Sequence, residues 1–256
     1  MPGLLPLRLL LVEDNLINQK VACRMLEKVG HTVVVANNGK EALETLAGLA
    51  FDAVLMDVQM PEMDGFAATA AIRAREVGTG VHTPIIAMTA HALKGDRERC
   101  LAAGMDGYVT KPLRPQELFD VLEDLPVASV AGAAATGSTA EFTVFDRDTA
   151  LERMDGDVDL MKELVGLFLD DCPQRMAEIH EALTRRDATK LRQAAHTLKG
   201  SVGNFGAREA FELAHQLETI AQGQDWEHAE EVGAALEMAI DRLKPAMVEA
   251  CQTAAS

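Results

Sequence analysis

Three things are scarce in this chain, and each scarcity narrows its function. Long hydrophobic runs come first. The most apolar N-terminal stretch, Leu4 to Val12, is short, is broken by Pro6 and Arg8, and runs into Glu13-Asp14. It has neither the length of a membrane span nor the charged head and cleavage site of a signal peptide, so it reads as a short leader (1–6) and a first strand. Cysteine is next. Cys23, Cys100, Cys172 and Cys251 are scattered, with no spacing suited to a metal or a redox pair, and are expected to be reduced thiols of a cytoplasmic protein. Positive charge is the third. The 24 Lys and Arg stand against 40 Asp and Glu, a formal net charge of −16. Residues 1–125 carry 12 basic and 17 acidic side chains, and residues 126–256 carry 12 and 23. No surface for nucleic-acid phosphates is expected of such a balance. No glycine-rich ATP lid or kinase segment is found in the 256 residues, so the chain is not expected to use ATP itself.

What is present begins with Ala53-Val-Leu-Met-Asp57, four apolar residues running into one carboxylate. A continuous apolar run suits a strand buried on both faces of a parallel sheet, and ligands of open α/β sheets bind beyond the carboxyl ends of such strands. Three more runs deliver polar groups to the same rim. Leu9–Val12 leads to Glu13-Asp14, Ile85–Met88 to Thr89, and Tyr108–Thr110 to Lys111-Pro112. Clustered carboxylates favour a hard dication with oxygen ligands, most plausibly Mg²⁺. With the metal reducing like-charge repulsion, Asp57 becomes a nucleophile toward phosphorus, and Thr89 and Lys111 can hold the remaining phosphoryl oxygens.

Between these runs the periodicity turns helical. Ile17, Val21, Met25 and Val29 share one helix face, which Gly30 ends; Phe66–Arg75, Leu93–Ala103 and Gln116–Leu125 read as later helices. A β-α unit repeated five times predicts a flavodoxin-like parallel sheet of five strands in the order 2-1-3-4-5.

Leu10-Leu-Val-Glu-Asp-Asn15, Leu55-Met-Asp-Val-Gln-Met-Pro61, Met88-Thr-Ala90 and Lys111-Pro112 resemble the receiver domain of two-component signalling over residues 7–125. The Val12-Glu-Asp-Asn-x-x-Asn-Gln19 form is similar to receivers attached to hybrid sensor histidine kinases. By that resemblance Asp57 becomes a 4-aspartylphosphate. Glu13, Asp14, Asp57 and the backbone carbonyl of Gln59 bind Mg²⁺, and Thr89 and Lys111 touch the phosphoryl group. Ala90 leaves it room, Tyr108 is the switch aromatic, and the Lys111-Pro112 bond is often cis.

Residues 126–144, rich in Ala, Gly, Ser and Thr, have no periodic apolar face and read as a flexible linker, spanning on the order of 25 Å as a coil. From Phe145 the pattern is helical throughout. Leu160, Leu164, Leu167 and Phe168 form a stripe, Pro173 is expected to start another helix, and Asp187 to cap the helix that carries His196. At about 100° per residue, Leu191, Ala195, Leu198 and Val202 face the core and His196 lies about 140° from Leu191, which predicts an imidazole facing solvent. Lys199 and Gly200 share its side, Lys199 to offset phosphoryl charge and Gly200 to leave space for a docking partner. His196-Thr-Leu-Lys-Gly-Ser201 followed by Asn204-Phe-Gly206 resembles the histidine phosphotransfer (HPt) domain over residues 145–250. By that resemblance His196 becomes a phosphohistidine, Lys199 attends it, and four helices form an up-down bundle.

Together the two resemblances imply a cytoplasmic phosphorelay intermediate whose partners are a sensor histidine kinase and the receiver domain of a downstream response regulator, with no nucleic-acid or membrane contact. The alternative is the C-terminal portion of a hybrid sensor histidine kinase. An aspartate-based phosphohydrolase needs a second Asp two residues after the first, and Gln59 stands there. A DNA-binding regulator needs a basic recognition helix, which the acidic second half lacks.

Overall fold

The computed structural model of the chain describes residues 6–89, 94–123, 144–223 and 225–253. Residues 1–5 of the expected leader, Ala90, Leu93 and the linker up to residue 143 lie outside them. The chain divides into two compact units, Met1–Thr136 and Gly137–Ser256.

In the first unit, strands and helices alternate as β1 Arg8–Val12, α1 Leu16–Lys28, β2 Thr32–Ala36, α2 Gly39–Gly48, β3 Ala53–Asp57, α3 Gly65–Glu76, β4 Ile85–Thr89, α4 Lys94–Ala102, β5 Gly107–Thr110 and α5 Pro115–Glu123. All four strand pairings are parallel and the order is β2-β1-β3-β4-β5, the expected arrangement. Every residue of β3 and β4 is buried, which is why these strands read as unbroken apolar runs. On one face Leu10, Val12, Val54, Met56, Ile85 and Ala87 pack with Ala42 and Leu43 of α2, Ala68 and Ile72 of α3, and Cys100 of α4. Strand alternation turns Leu9, Leu11, Leu55, Ile86 and Met88 to the other face, where they are also fully buried.

Helix starts follow the polar residues before them. Asn15 accepts from the backbone N–H groups of Ile17 and Asn18, and Asn38 from those of Lys40 and Glu41. The Lys111-Pro112 bond is cis.

The second unit is helical: α6 Arg147–Arg153, α7 Val158–Arg185, α8 Ala188–Asn204, α9 Arg208–Gly223 and α10 Trp226–Thr253. Each of α7, α8, α9 and α10 packs on two of the others in cyclic order, with connections of a few residues, as in an up-down bundle. Asp187 caps α8 as expected, accepting from the N–H of Lys190 at 3.1 Å.

Pro173 does not start a helix. It lies within α7, which runs unbroken for 28 residues, as Pro245 lies within α10. A proline inside a helix costs about 3 kcal/mol. That cost is outweighed because the buried stripe continues across it in one line, from Leu164 and Phe168 through Cys172 to Met176, Ile179 and Leu183. Phe168 and Phe205 meet edge-on within the core, ring centroids 5.5 Å apart.

His31, between α1 and β2, ties the chain ahead of β1. Its Nδ1 accepts the N–H of Leu7 at 3.1 Å, while its buried Nε2 has no partner. Burial holds the imidazole pKa below its ordinary value of 6.5. Protonation would place a hydrogen where Leu7 donates. The stability carried by neutral His31 is therefore complete above about pH 6.5 and lost as the pH falls through the depressed folded value. Denaturant unfolding of the sheet unit is expected to show stability falling as the pH drops from about 7 to about 5, and His31→Gln, whose amide oxygen can accept the same N–H, is expected to flatten that slope.

Candidate functional site

Glu13 and Asp14 follow β1, Asp57 closes β3, Thr89 closes β4 and Lys111 follows β5, so the sheet brings them to one rim. Glu13, Asp57 and Thr89 are buried and Asp14 is half-buried. One carboxylate oxygen from each of Glu13, Asp14 and Asp57 lies within 4.8 Å of the other two. Lys111 Nζ bridges two of them, 2.6 Å from Asp57 Oδ2 and 2.5 Å from Glu13 Oε2. Burial alone would lower the lysine's pKa, but the two carboxylates outweigh it and hold the ammonium charged well above its ordinary range. Three carboxylates and one ammonium leave a formal deficit of two positive charges among hard oxygen donors, which suits a divalent cation.

The amide side chains of the Val12–Gln19 motif hold Glu13 in place. Its Oε1 accepts from the Asn15 N–H at 3.2 Å and from Asn18 Nδ2 at 3.0 Å. Its carbonyl accepts from Gln19 Nε2 at 2.6 Å, and the same nitrogen reaches Asn37 Oδ1 at 3.0 Å, linking the loops after β1 and β2. Asp57 Oδ1 accepts from the Gln59 N–H at 3.1 Å, which sets Gln59 beside the carboxylate. Lys111 is positioned by its own N–H, which donates to the Thr89 carbonyl at 2.7 Å. Tyr108 lies in β5 with the Arg97 guanidinium 5.9 Å above its ring.

Gly65 carries a constraint that the sequence alone does not display. A Cβ on it would lie 2.2 Å from the backbone carbonyl oxygen of Asp57 and 3.0 Å from Val58 Cα. Helix α3 thus starts directly against the backbone of Asp57, and only a residue without a side chain allows it.

The second unit assembles a separate cluster. His196 and Lys199 on α8 meet Glu218 on α9. His196 Nδ1 lies 2.9 Å from Glu218 Oε1, and Lys199 Nζ donates to Glu218 Oε2. His215, one turn before Glu218, sets its Nδ1 3.8 Å from Glu218 Oε2. Burial alone would raise the Glu218 pKa. The hydrogen bond and charge of His196, with the charge of Lys199, outweigh that and hold it down at about 2. An ionised carboxylate only accepts, so His196 is the Nδ1–H tautomer and its Nε2 carries the nucleophilic lone pair.

Two expectations are corrected here. His196 is not freely exposed: only 14% of its side chain is accessible. Lys199 is 2% exposed and ion-paired, rather than sharing an open face. The side of α8 away from Leu191 is covered in part by α9, which the bundle packs against it. Gly200 is half-buried, and its carbonyl accepts from Asn204 Nδ2 at 3.1 Å. Glu218 was missed; it sits one turn after Ala214 and next to Leu217 at the buried edge of the stripe Ala214, Leu217 and Ala221, where a carboxylate is the signal that could have found it.

The family model described as the response regulator receiver domain matches residues 9–123, and that of the Hpt domain matches residues 163–246. The chain belongs to the two-component phosphorelay class, as a receiver domain followed by an Hpt domain. Among its relatives, the histidine-protein kinase BarA of Escherichia coli (strain K12) is 31% identical over 84% of this chain and 24% of its own length. The sensor protein GacS of Pseudomonas syringae pv. syringae is 32% identical over 93% of this chain and 27% of its own. The chain spans about a quarter of each kinase. A solved receiver domain of a Pseudomonas aeruginosa sensor histidine kinase, with a magnesium ion in its active-site cleft, is 44% identical over 46% of this chain and 96% of its own, with a TM-score of 0.42. Among the described residues, no helix is long and apolar enough to cross a membrane.

Gly65→Ala is expected to cost about 3 kcal/mol of receiver stability, since the clash is with backbone and cannot rotate away; a thermal melt checks it. Glu218→Gln is expected to keep an acceptor for His196 but strand the buried ammonium of Lys199, at a cost of about 3 kcal/mol at pH 7. Because the Glu218 pKa is depressed, its contribution is complete above about pH 4.5 and fades toward pH 2. The gap between wild type and Glu218→Gln in urea unfolding is expected to narrow over that window.

Proposed function

We propose that the chain is a phosphorelay intermediate in which Asp57 accepts a phosphoryl group from a phosphohistidine and His196 carries one to or from a receiver aspartate. The observation that carries this is Lys111 Nζ bridging Asp57 and Glu13 within a cluster of three carboxylates, which gives Asp57 both a counter-charge and a place for a dication.

Asp57 is the nucleophile. Its Oδ2 engages Lys111, and its Oδ1 is oriented by the Gln59 N–H. Attack forms an O–P bond as the N–P bond of the donor phosphohistidine breaks, and the imidazole leaves. Glu13, Asp14 and Asp57, with the backbone carbonyl of Gln59, would hold Mg²⁺, which supplies charge neutralisation for attack on an anion. Lys111 turns from carboxylate to phosphoryl oxygen, and the hydroxyl of Thr89 donates beside it. At His196, the Glu218 carboxylate holds the Nδ1 proton and stabilises the imidazolium that forms when Nε2 takes the phosphoryl group.

The partners follow from the chemistry: a sensor histidine kinase as phosphohistidine donor and the receiver domain of a downstream response regulator as acceptor, both in the cytoplasm. We place the receiver at 7–125 and the Hpt domain at 145–250, joined by residues 126–144. The alignments with BarA and GacS favour a second reading, in which these residues are the C-terminal portion of a hybrid sensor histidine kinase whose ATP-binding domain is elsewhere.

Incubation with acetyl phosphate and Mg²⁺ is expected to label the chain with a hydroxylamine-labile acyl phosphate. EDTA and Asp57→Asn are each expected to abolish it, and His196→Gln to leave it intact. Acyl phosphate persisting in Asp57→Asn would overturn the assignment.

A further inference from the structure

The phosphoryl group at His196 brings two negative charges to a place where the expected counter-ion is already engaged. Lys199 and Glu218 pair with each other below the surface and cancel, so neither leaves a net charge to meet a phosphoryl group. When Nε2 of the Nδ1–H tautomer takes the group from an aspartyl phosphate, the P–O bond breaks, the P–Nε2 bond forms and the carboxylate leaves. The proton stays on Nδ1 against Glu218. The ring is then cationic and the phosphoryl group dianionic, so the loaded cluster carries one uncompensated negative charge, concentrated on the outward oxygens.

We infer that Arg192 is the cation that meets the phosphoryl group on His196, an assignment that rests on the function proposed above for that histidine. Arg192 lies on α8 one turn before His196, about 40° from it around the helix axis. Residues so spaced are surface neighbours, with Cβ atoms about 5–6 Å apart. Helical side chains lean toward the N-terminus, so the His196 ring lies over the turn that Arg192 occupies, while Lys199 and Gly200 lie behind it.

Two observations set Arg192 apart. It is exposed and makes no hydrogen bond or ion pair among the described residues. It also belongs to a basic run, Arg185, Arg186, Lys190 and Arg192, within residues 126–256, where 23 acidic side chains face 12 basic ones. Arg185 is held by Glu181 at 3.0 Å. Arg186 caps the end of α7 and is not on the His196 helix, and Lys190 points about 120° away from His196 around the helix. Arg192 is the member of the run placed to reach the imidazole, and its planar fork suits two phosphoryl oxygens at once.

Phosphoramidate is a probe that needs no partner protein: the P–N bond to ammonia breaks, ammonia leaves and the P–Nε2 bond forms. The full-length chain carrying Asp57→Asn serves as parent, to silence the receiver, and acid-labile phosphohistidine is followed with time. Arg192→Gln is expected to slow loading of His196 about three- to tenfold, Arg192→Lys to fall between it and the parent because the charge is kept and the fork is lost, and Lys190→Gln to match the parent, all with unchanged melting temperatures. Loading of Arg192→Gln at the parental rate overturns the inference and leaves the proposed function standing. So does equal slowing by Lys190→Gln, which would make the effect one of net charge rather than position. Absence of label from the parent, or equal label in His196→Gln, overturns the proposed function, and this inference with it.

Discussion

The receiver site depends on one ammonium held between two buried carboxylates. Without Lys111, Glu13 and Asp57 would face each other across a sheet rim with their charges unanswered, and removing one partner of a buried ion pair typically costs 3–5 kcal/mol. With it, the rim holds a cluster that is still short of positive charge, which is the condition for binding a cation rather than merely tolerating acids. The fold supplies the means. Parallel strands end together on one side, so residues 13, 57, 89 and 111, far apart in the chain, arrive at one place by topology alone.

That convergence is why so much of the receiver was legible. The unbroken apolar run that marks a buried strand also marks where its final polar residue emerges, so one signal located both the element and the site. What stayed hidden was the support. Asn18 and Gln19 belong to a recognisable motif, but nothing in their spacing says that one amide grips the Glu13 carboxylate and the other its backbone carbonyl. Gly65 reads as loop punctuation ahead of a helix until the backbone of Asp57 is seen pressed against it.

The helical unit was less legible, for a physical reason. A helical wheel recognises one apolar direction and assigns the opposite side to water. In a bundle each helix has two packed neighbours, so α8 is covered by α7 on one flank and α9 on another, and Lys199, at the edge of the apolar face beside Ala195, is buried there. Its partner, Glu218, lies 19 residues away on α9, beyond the reach of any local pattern. Pro173 shows the converse error. A local rule expected a break, and the continuous stripe from Leu164 to Leu183 overrode it.

The buried pair of Lys199 and Glu218 has a kinetic meaning. On the role proposed for His196, the two charges cancel inside the bundle whether or not the imidazole is loaded, so the field at the surface changes only by what the imidazole carries. A phosphoryl carrier built this way needs no rearrangement to announce its state. Loaded and empty copies differ in their long-range potential, and potentials set the rates at which charged partners meet. Sorting of full from empty carriers can then happen during diffusion, before any surfaces touch, and it weakens as salt shortens the screening length to about 8 Å.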